Sequence, residues 1–197
     1  TGMSTLYEVS DTLRQIQYIK RNIVLMNCAS TYPASPYQAR LKRIDALRKL
    51  LPDGGLVGQS DHTPTIGTCL GAIGRGAVVI EKHVTLDKEM RGPDHAASIT
   101  PAEFADMVRM GNEVWEGLQA TDADLGGILD GEQPVRSWAN HCLVARRDLA
   151  AGHVLAWDDL DTRRPATAGL AASTIRAVIG VPLGRPLRAG EPLPLEP

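Results

Sequence analysis

Two spacings of apolar residues alternate along the first 120 positions. Leu6, Val9, Leu13, Ile16 and Ile19 recur at helical intervals behind Thr5-x-x-Glu8, which reads as a capping box, so a helix is predicted there. Ile23-Val24-Leu25-Met26 is a continuous apolar run, as a strand buried on both faces requires. Ser35-Pro36 predicts a second helix, with Ser at the N-cap and Pro in the first turn. Its inward face is Tyr37, Leu41, Ile44, Leu47 and Leu51, and Pro52-Asp53-Gly54-Gly55 stops it. Residues 56–59 predict a second strand, 66–73 a helix closing at Gly74 and Gly76, and 77–80 a third strand. A second capping box, Thr100-x-x-Glu103, opens a helix with Phe104, Met107, Val108, Val114, Trp115 and Leu118 inward. Helices that alternate with short apolar strands imply an α/β class with a parallel sheet, as half of a (β/α)8 barrel or part of a doubly wound sheet.

The pattern changes after residue 120. Asp122, Asp124, Gly126, Gly127, Asp130, Gly131 and Pro134 mark a linker over 121–135. From Arg136 on no strong helical spacing returns. Short apolar fragments such as Cys142-Leu143-Val144-Ala145 alternate with turn signals at Gly180 and Gly190. Residues 136–197 therefore read as a small, mostly β module, and 1–120 as the α/β domain. The chain opens directly on a helix with no strand for that helix to cover, so it reads as the C-terminal part of something longer.

Charge adds exclusions. Lys and Arg number 21 against 23 Asp and Glu, a net charge of −2, and no basic face suits a nucleic acid. No apolar run approaches the roughly 20 residues that span a bilayer, so no membrane partner is expected. Cys28, Cys69 and Cys142 are an odd count, far apart, which fits a reducing, cytoplasmic setting.

The candidate chemistry lies just past the strands. Ser60-Asp61-His62-Thr63 follows one and Glu81-Lys82-His83 the next, so parallel strands bring both imidazoles to one rim. Two such histidines suit a divalent metal with open positions, their neighbouring carboxylates orienting the rings; hydrogen-bonded structural histidines satisfy the same spacing. Asp94 and His95 follow the third strand, where Asp94 either accepts from a sugar hydroxyl or closes a plain turn. Ser30 and Tyr32 follow the first strand and suit a phosphate or hydroxyl, or ordinary loop polarity. Cys28 reads as small core filler. Arg163-Arg164-Pro165 reads as an anion contact or a solvated pair.

Taken together these segments resemble the sialic acid synthase family. The resemblance rests on Ser60-Asp61-His62-Thr63, on Ile80-Glu81-Lys82-His83-Val84-Thr85-Leu86-Asp87 and on Gly92-Pro93-Asp94-His95-Ala96-Ala97-Ser98. Cys28-Ala29-Ser30-Thr31-Tyr32-Pro33 and Thr1-Gly2-Met3 are similar to two further family segments. Arg136-Ser137, Leu143-Val144-Ala145, Asp148-Leu149, Gly152, Asp159-Leu160 and Arg164-Pro165 are similar to its C-terminal antifreeze-like (SAF) domain. The implied fold is the C-terminal part of a TIM (β/α)8 barrel followed by that domain. The implied reaction condenses phosphoenolpyruvate with N-acetylmannosamine or a related N-acyl hexosamine, adds water and releases phosphate. The resemblance implies His62 and His83 as ligands of Mn²⁺ or Mg²⁺, and Asp94 on a sugar hydroxyl. It places Tyr32 on the substrates and Ser30 and Ser60 on phosphoenolpyruvate. Arg164 would reach the N-acyl group from the partner subunit of a domain-swapped homodimer.

Some positions depart from the family pattern. Asn27 stands where His is usual, Gln59 where an aromatic or small apolar residue is usual, and His153 where Glu is usual. Ser30 replaces the Asn of sialate enzymes and is familiar in legionaminate and spore-coat branches. A legionaminate, pseudaminate or spore-coat paralogue is therefore an alternative reading, as is an inactive remnant that binds carbohydrate or dimerises. Four or five family strands that grip phosphoenolpyruvate precede the matched segment. Without them the barrel does not close, and the chain alone is expected to be inactive and prone to aggregate.

Overall fold

The computed structural model describes residues 1–16, 23–52, 55–164 and 169–194, with the backbone alone at 122, 123, 137 and 138. Ile19, the Asp53-Gly54 stop and Pro165 lie outside the described residues. The chain divides into two compact units, Thr1–Ala120 and Thr121–Pro197.

In the first unit, helix α1 (Leu6–Gln15) begins at the expected capping box, with Thr5 N donating to Glu8 Oε2 at 2.8 Å and Val9 and Leu13 turned inward. Strands β1 (Val24–Cys28), β2 (Leu56–Asp61) and β3 (Val79–Lys82) form one parallel sheet in the order β1-β2-β3. Helices α2 (Arg43–Arg48), α3 (Gly67–Gly74) and α4 (Pro101–Gly117) complete the unit. Leu25 and Val57 pack with Val9, Leu13, Ile44, Leu47 and Ala72 in an apolar core between sheet and helices. Because side chains alternate along a strand, Leu25, Asn27, Val57, Gln59 and Asp61 share the helix-facing side. Met26, Gly58 and Val79 meet on the other side, where a Cβ on Gly58 would collide with the Met26 sulfur and the Val79 carbonyl.

Two sequence expectations need correction. The helix expected from Ser35 breaks at Arg40, whose φ of 44° is left-handed, and the regular helix starts only at Arg43. Tyr37, expected inward, is 91% exposed on the turn before that break. In α4 only Met107 and Gly111 are buried. Phe104, Val108 and Trp115 instead wall an open groove of about 260 Å³ with Ile73, Val78 and Ile80.

The second unit starts with short helix α5 (Asp122–Leu125), inside the segment expected to be a linker, and helix α6 (Gln133–Ala139), which runs from that linker into the module expected to be mostly β. Strands β4 (Cys142–Ala145) and β5 (Leu160–Arg163) pair antiparallel, and helix α7 (Ile175–Val178) follows. Leu143, Leu149, Leu155, Leu160, Leu183, Leu187 and Leu193 form its core. The predicted turns at Gly180 and Gly190 hold, with φ of 84° and 82°.

Candidate active site at the sheet rim

His62 leaves β2 and His83 leaves β3 at the same end of the sheet. Their ring centroids lie 5.2 Å apart. Tyr32, just past β1, covers both, 4.1 Å from the His62 ring and 5.8 Å, edge-on, from that of His83. His62 is buried, and its Nδ1 lies 2.9 Å from the Ala29 carbonyl. A carbonyl only accepts, so this bond assigns the proton to Nδ1 and leaves the Nε2 lone pair free. Asp94 Oδ2 stands 4.0 Å from His83 Nδ1.

Ser60 Oγ donates to Glu81 Oε1 at 2.6 Å. Cys28, read from sequence as core filler, is only half-buried, with Sγ 3.6 Å from Ser30 Oγ and 4.0 Å from His62 Nδ1. Gly2 seats the N-terminal loop here, since a Cβ would strike the Ser30 hydroxyl. Burial pushes the Tyr32 phenol up, and Cys28, Asp94 and Glu81 add to the shift, so Tyr32 stays a protonated donor at neutral pH. The structure thus brings Ser30, Tyr32, Ser60, His62, His83 and Asp94 to one rim. Arg164 lies in the second unit, where its Nε donates to the Ala139 carbonyl at 3.2 Å.

The carboxylates next to the histidines do not orient them as expected. Successive strand residues point to opposite faces, so Asp61 turns away from His62. It forms a fully buried pair with Lys82, Nζ to Oδ1 2.7 Å. Thr68 Oγ1 donates to its Oδ2 at 2.7 Å and Thr63 Oγ1 to its Oδ1 at 2.8 Å. Burial pushes the Asp61 carboxyl up, but bonds from Lys82, Thr68 and Thr63 outweigh it and leave it below the ordinary carboxylate value. Sequence reasoning missed this network. Its one visible signal was a lysine at the end of a strand, between Glu81 and His83.

Among the described residues no group of three or more His, Cys, Asp or Glu is arranged to hold a metal ion. The donor set at the rim is two imidazoles. One has its second nitrogen bonded to a backbone carbonyl, the arrangement typical of metal-ligating histidines. That set fits a cation whose remaining positions belong to substrate and water.

The NeuB family profile matches residues 1–122. The chain belongs to the NeuB family. A SAF domain matches residues 141–196. An N,N'-diacetyllegionaminic acid synthase from Legionella pneumophila is 36% identical over 98% of this chain and 54% of its own length. The mouse N-acetylneuraminate-9-phosphate synthase is 34% identical over 83% of this chain and 44% of its own. The chain therefore spans about half the length of the curated relatives it matches. Among solved structures, an N-acetylneuraminic acid synthetase from Leptospira borgpetersenii is similar at 28% identity and a TM-score of 0.59, over 68% of this chain and 45% of that one. A spore coat polysaccharide biosynthesis protein from Bacillus subtilis gives 25% and 0.56, over 98% and 58%. Among the described residues no helix is long and apolar enough to cross a membrane.

Proposed function

We propose that this chain carries the metal-binding half of a nonulosonate synthase site, which condenses phosphoenolpyruvate with an N-acyl hexosamine and releases phosphate. The observation that carries the reading is the adjacent pair His62 and His83 beneath Tyr32, with ring centroids 5.2 Å apart. Both histidines would hold Mn²⁺ or Mg²⁺. The bound cation supplies Lewis acidity, which makes an aldehyde carbon of the open-chain sugar electrophilic. The chain's own residues position the partners. Tyr32 donates to a substrate oxygen, and Asp94, half-exposed at the rim, accepts from a sugar hydroxyl. Ser30 and Ser60 contact phosphoenolpyruvate, and Ser60 must turn from Glu81 to donate to an anionic oxygen. This reading sets the three-stranded sheet within a (β/α)8 barrel whose other strands grip the phosphate. Arg164 contacts the N-acyl group across a domain-swapped dimer.

A diacetamido sugar of the legionaminate type is the second substrate reading, favoured by two relatives, 36% and 33% identical, that carry that name. Mn²⁺ binding to the metal-free chain, followed by the electron paramagnetic resonance of free Mn²⁺, tests the site. His62→Ala and His83→Ala should each weaken affinity by more than about tenfold. Unchanged affinity in both removes the assignment. Phosphate release from phosphoenolpyruvate with a panel of N-acyl hexosamines, with the N-terminal half of a relative supplied, then identifies the sugar. Chelation with EDTA should abolish that release.

A further inference from the structure

Behind the imidazole pair, on the helix-facing side of the sheet, a chain of buried polar side chains crosses all three strands. Asn27 on β1 donates through Nδ2 to Gln59 Oε1 on β2 at 2.8 Å. Gln59 Nε2 reaches Asp61 Oδ2 at 3.5 Å, and Asp61 pairs with Lys82 on β3 at 2.7 Å. Lys82 Nζ also donates to the Thr63 carbonyl, just past His62. The links join residues that are directly opposed in the parallel ladder, Asn27 with Gln59 and Asp61 with Lys82. His62 and His83 each follow a member of the charged pair by one residue.

We infer that Asn27, Gln59, Asp61 and Lys82 form a register lock that holds the His62 and His83 rings next to each other, tilted by 58°. They are positioning residues, and none bonds to either ring. The physical case is one of specificity. A one-residue slip of β2 against β3 sends every side chain to the opposite face and separates the imidazoles. It would also strand a carboxylate and an ammonium, both fully buried, without partners. An apolar pair at the same positions tolerates the slip far better. Such networks are poor stabilisers, and this one leaves the Asn27 Oδ1 without a partner among the described residues. Asn27 and Gln59, two of the positions at which the resemblance marks a departure from the family pattern, are bonded to each other in the lock.

The part of the inference concerning metal affinity rests on the proposed function; the ring contact does not. The test uses the full chain with Asp61→Leu and Lys82→Met combined, which removes both charges at once. The thermal midpoint should stay level or rise. The nuclear Overhauser contact between the His62 and His83 ring protons in metal-free protein should fade. Mn²⁺ affinity should fall by about 10–100-fold. A ring contact that persists at wild-type strength in the double variant overturns the lock. If wild-type protein binds no Mn²⁺, the functional reading fails while the ring contact still decides this one. Should the double variant not fold, Gln59→Leu cuts the chain at an uncharged link. It should weaken the ring contact, and an unchanged contact there also overturns the lock.

Discussion

Three cysteines in one chain sit in three environments. Burial pushes the Cys69 thiol up to about 12, with Asp61 adding to the shift, and burial raises the Cys142 thiol too. Cys28 is half-buried at the rim. The thiolate is the reacting species, so raised and buried thiols are inert. Ellman's reagent should therefore titrate one thiol in the native chain and three in denaturant, and Cys28→Ser should abolish the native reaction. Two or more fast thiols in the native state would contradict this assignment. Cys28 also shows what single-residue reading misses. The residue type suggests core filler, whereas strand alternation turns its sulfur toward Ser30 and His62. The histidines were legible because a residue just past a strand has one place to go. Lys82 was not, because its partner Asp61 is 21 positions away and only the ladder register brings them together.

Helix α4 shows the same division one level up. Its start was legible: Thr100 N donates to Glu103 Oε2 at 2.7 Å and Glu103 N to Thr100 Oγ1 at 3.3 Å. Glu103 also accepts from Lys88 at 2.7 Å, which ties the loop after β3 to the helix N-terminus. Thr100→Ala should cost about 1 kcal/mol of unfolding free energy in urea. Glu103→Ala should cost more, though the Lys88 pair is solvent-exposed enough to add less than about 1 kcal/mol. A Thr100→Ala chain as stable as wild type would mean the reciprocal bonds do not form. The start of α2 was hidden because left-handed Arg40 breaks the turn begun at Ser35, and no Gly or Asn advertises that break. The outer stripe of α4 kept its helical period, but Phe104, Val108 and Trp115 line a groove instead of the core. Periodicity identifies the face of a helix and leaves its partner undetermined.

At the scale of the whole chain, each unit has its own apolar core, and the second holds a buried charge of its own. Asp159 is buried in the turn just before β5. It accepts from His153 Nε2 at 2.7 Å, from Arg147 at 2.6 Å and from the Ala156 amide at 2.9 Å. The His153 and Arg147 bonds, with the amide, hold its carboxyl well below the usual carboxylate range, against the upward push of burial. By the resemblance drawn from the sequence, His153 stands where Glu is usual. A glutamate there would face Asp159 with like charge, whereas the imidazole N–H donates to it. A carboxylate with a lowered folded value contributes its full stability above the unfolded value, near pH 4, and loses it as pH falls through the folded value. Urea unfolding followed at the Leu149 and Leu155 amides, both within the second core, reads this directly. Asp159→Asn should lower the midpoint by a constant amount from about pH 5 to 7. The gap to wild type should narrow as pH falls below about 4, because Asp159 in the unfolded chain then takes up a proton that the folded carboxyl does not, and it should close only when the folded carboxyl is protonated too. A gap that widens in acid would show that the carboxyl is raised on folding, and the triad of donors around it would then need another explanation.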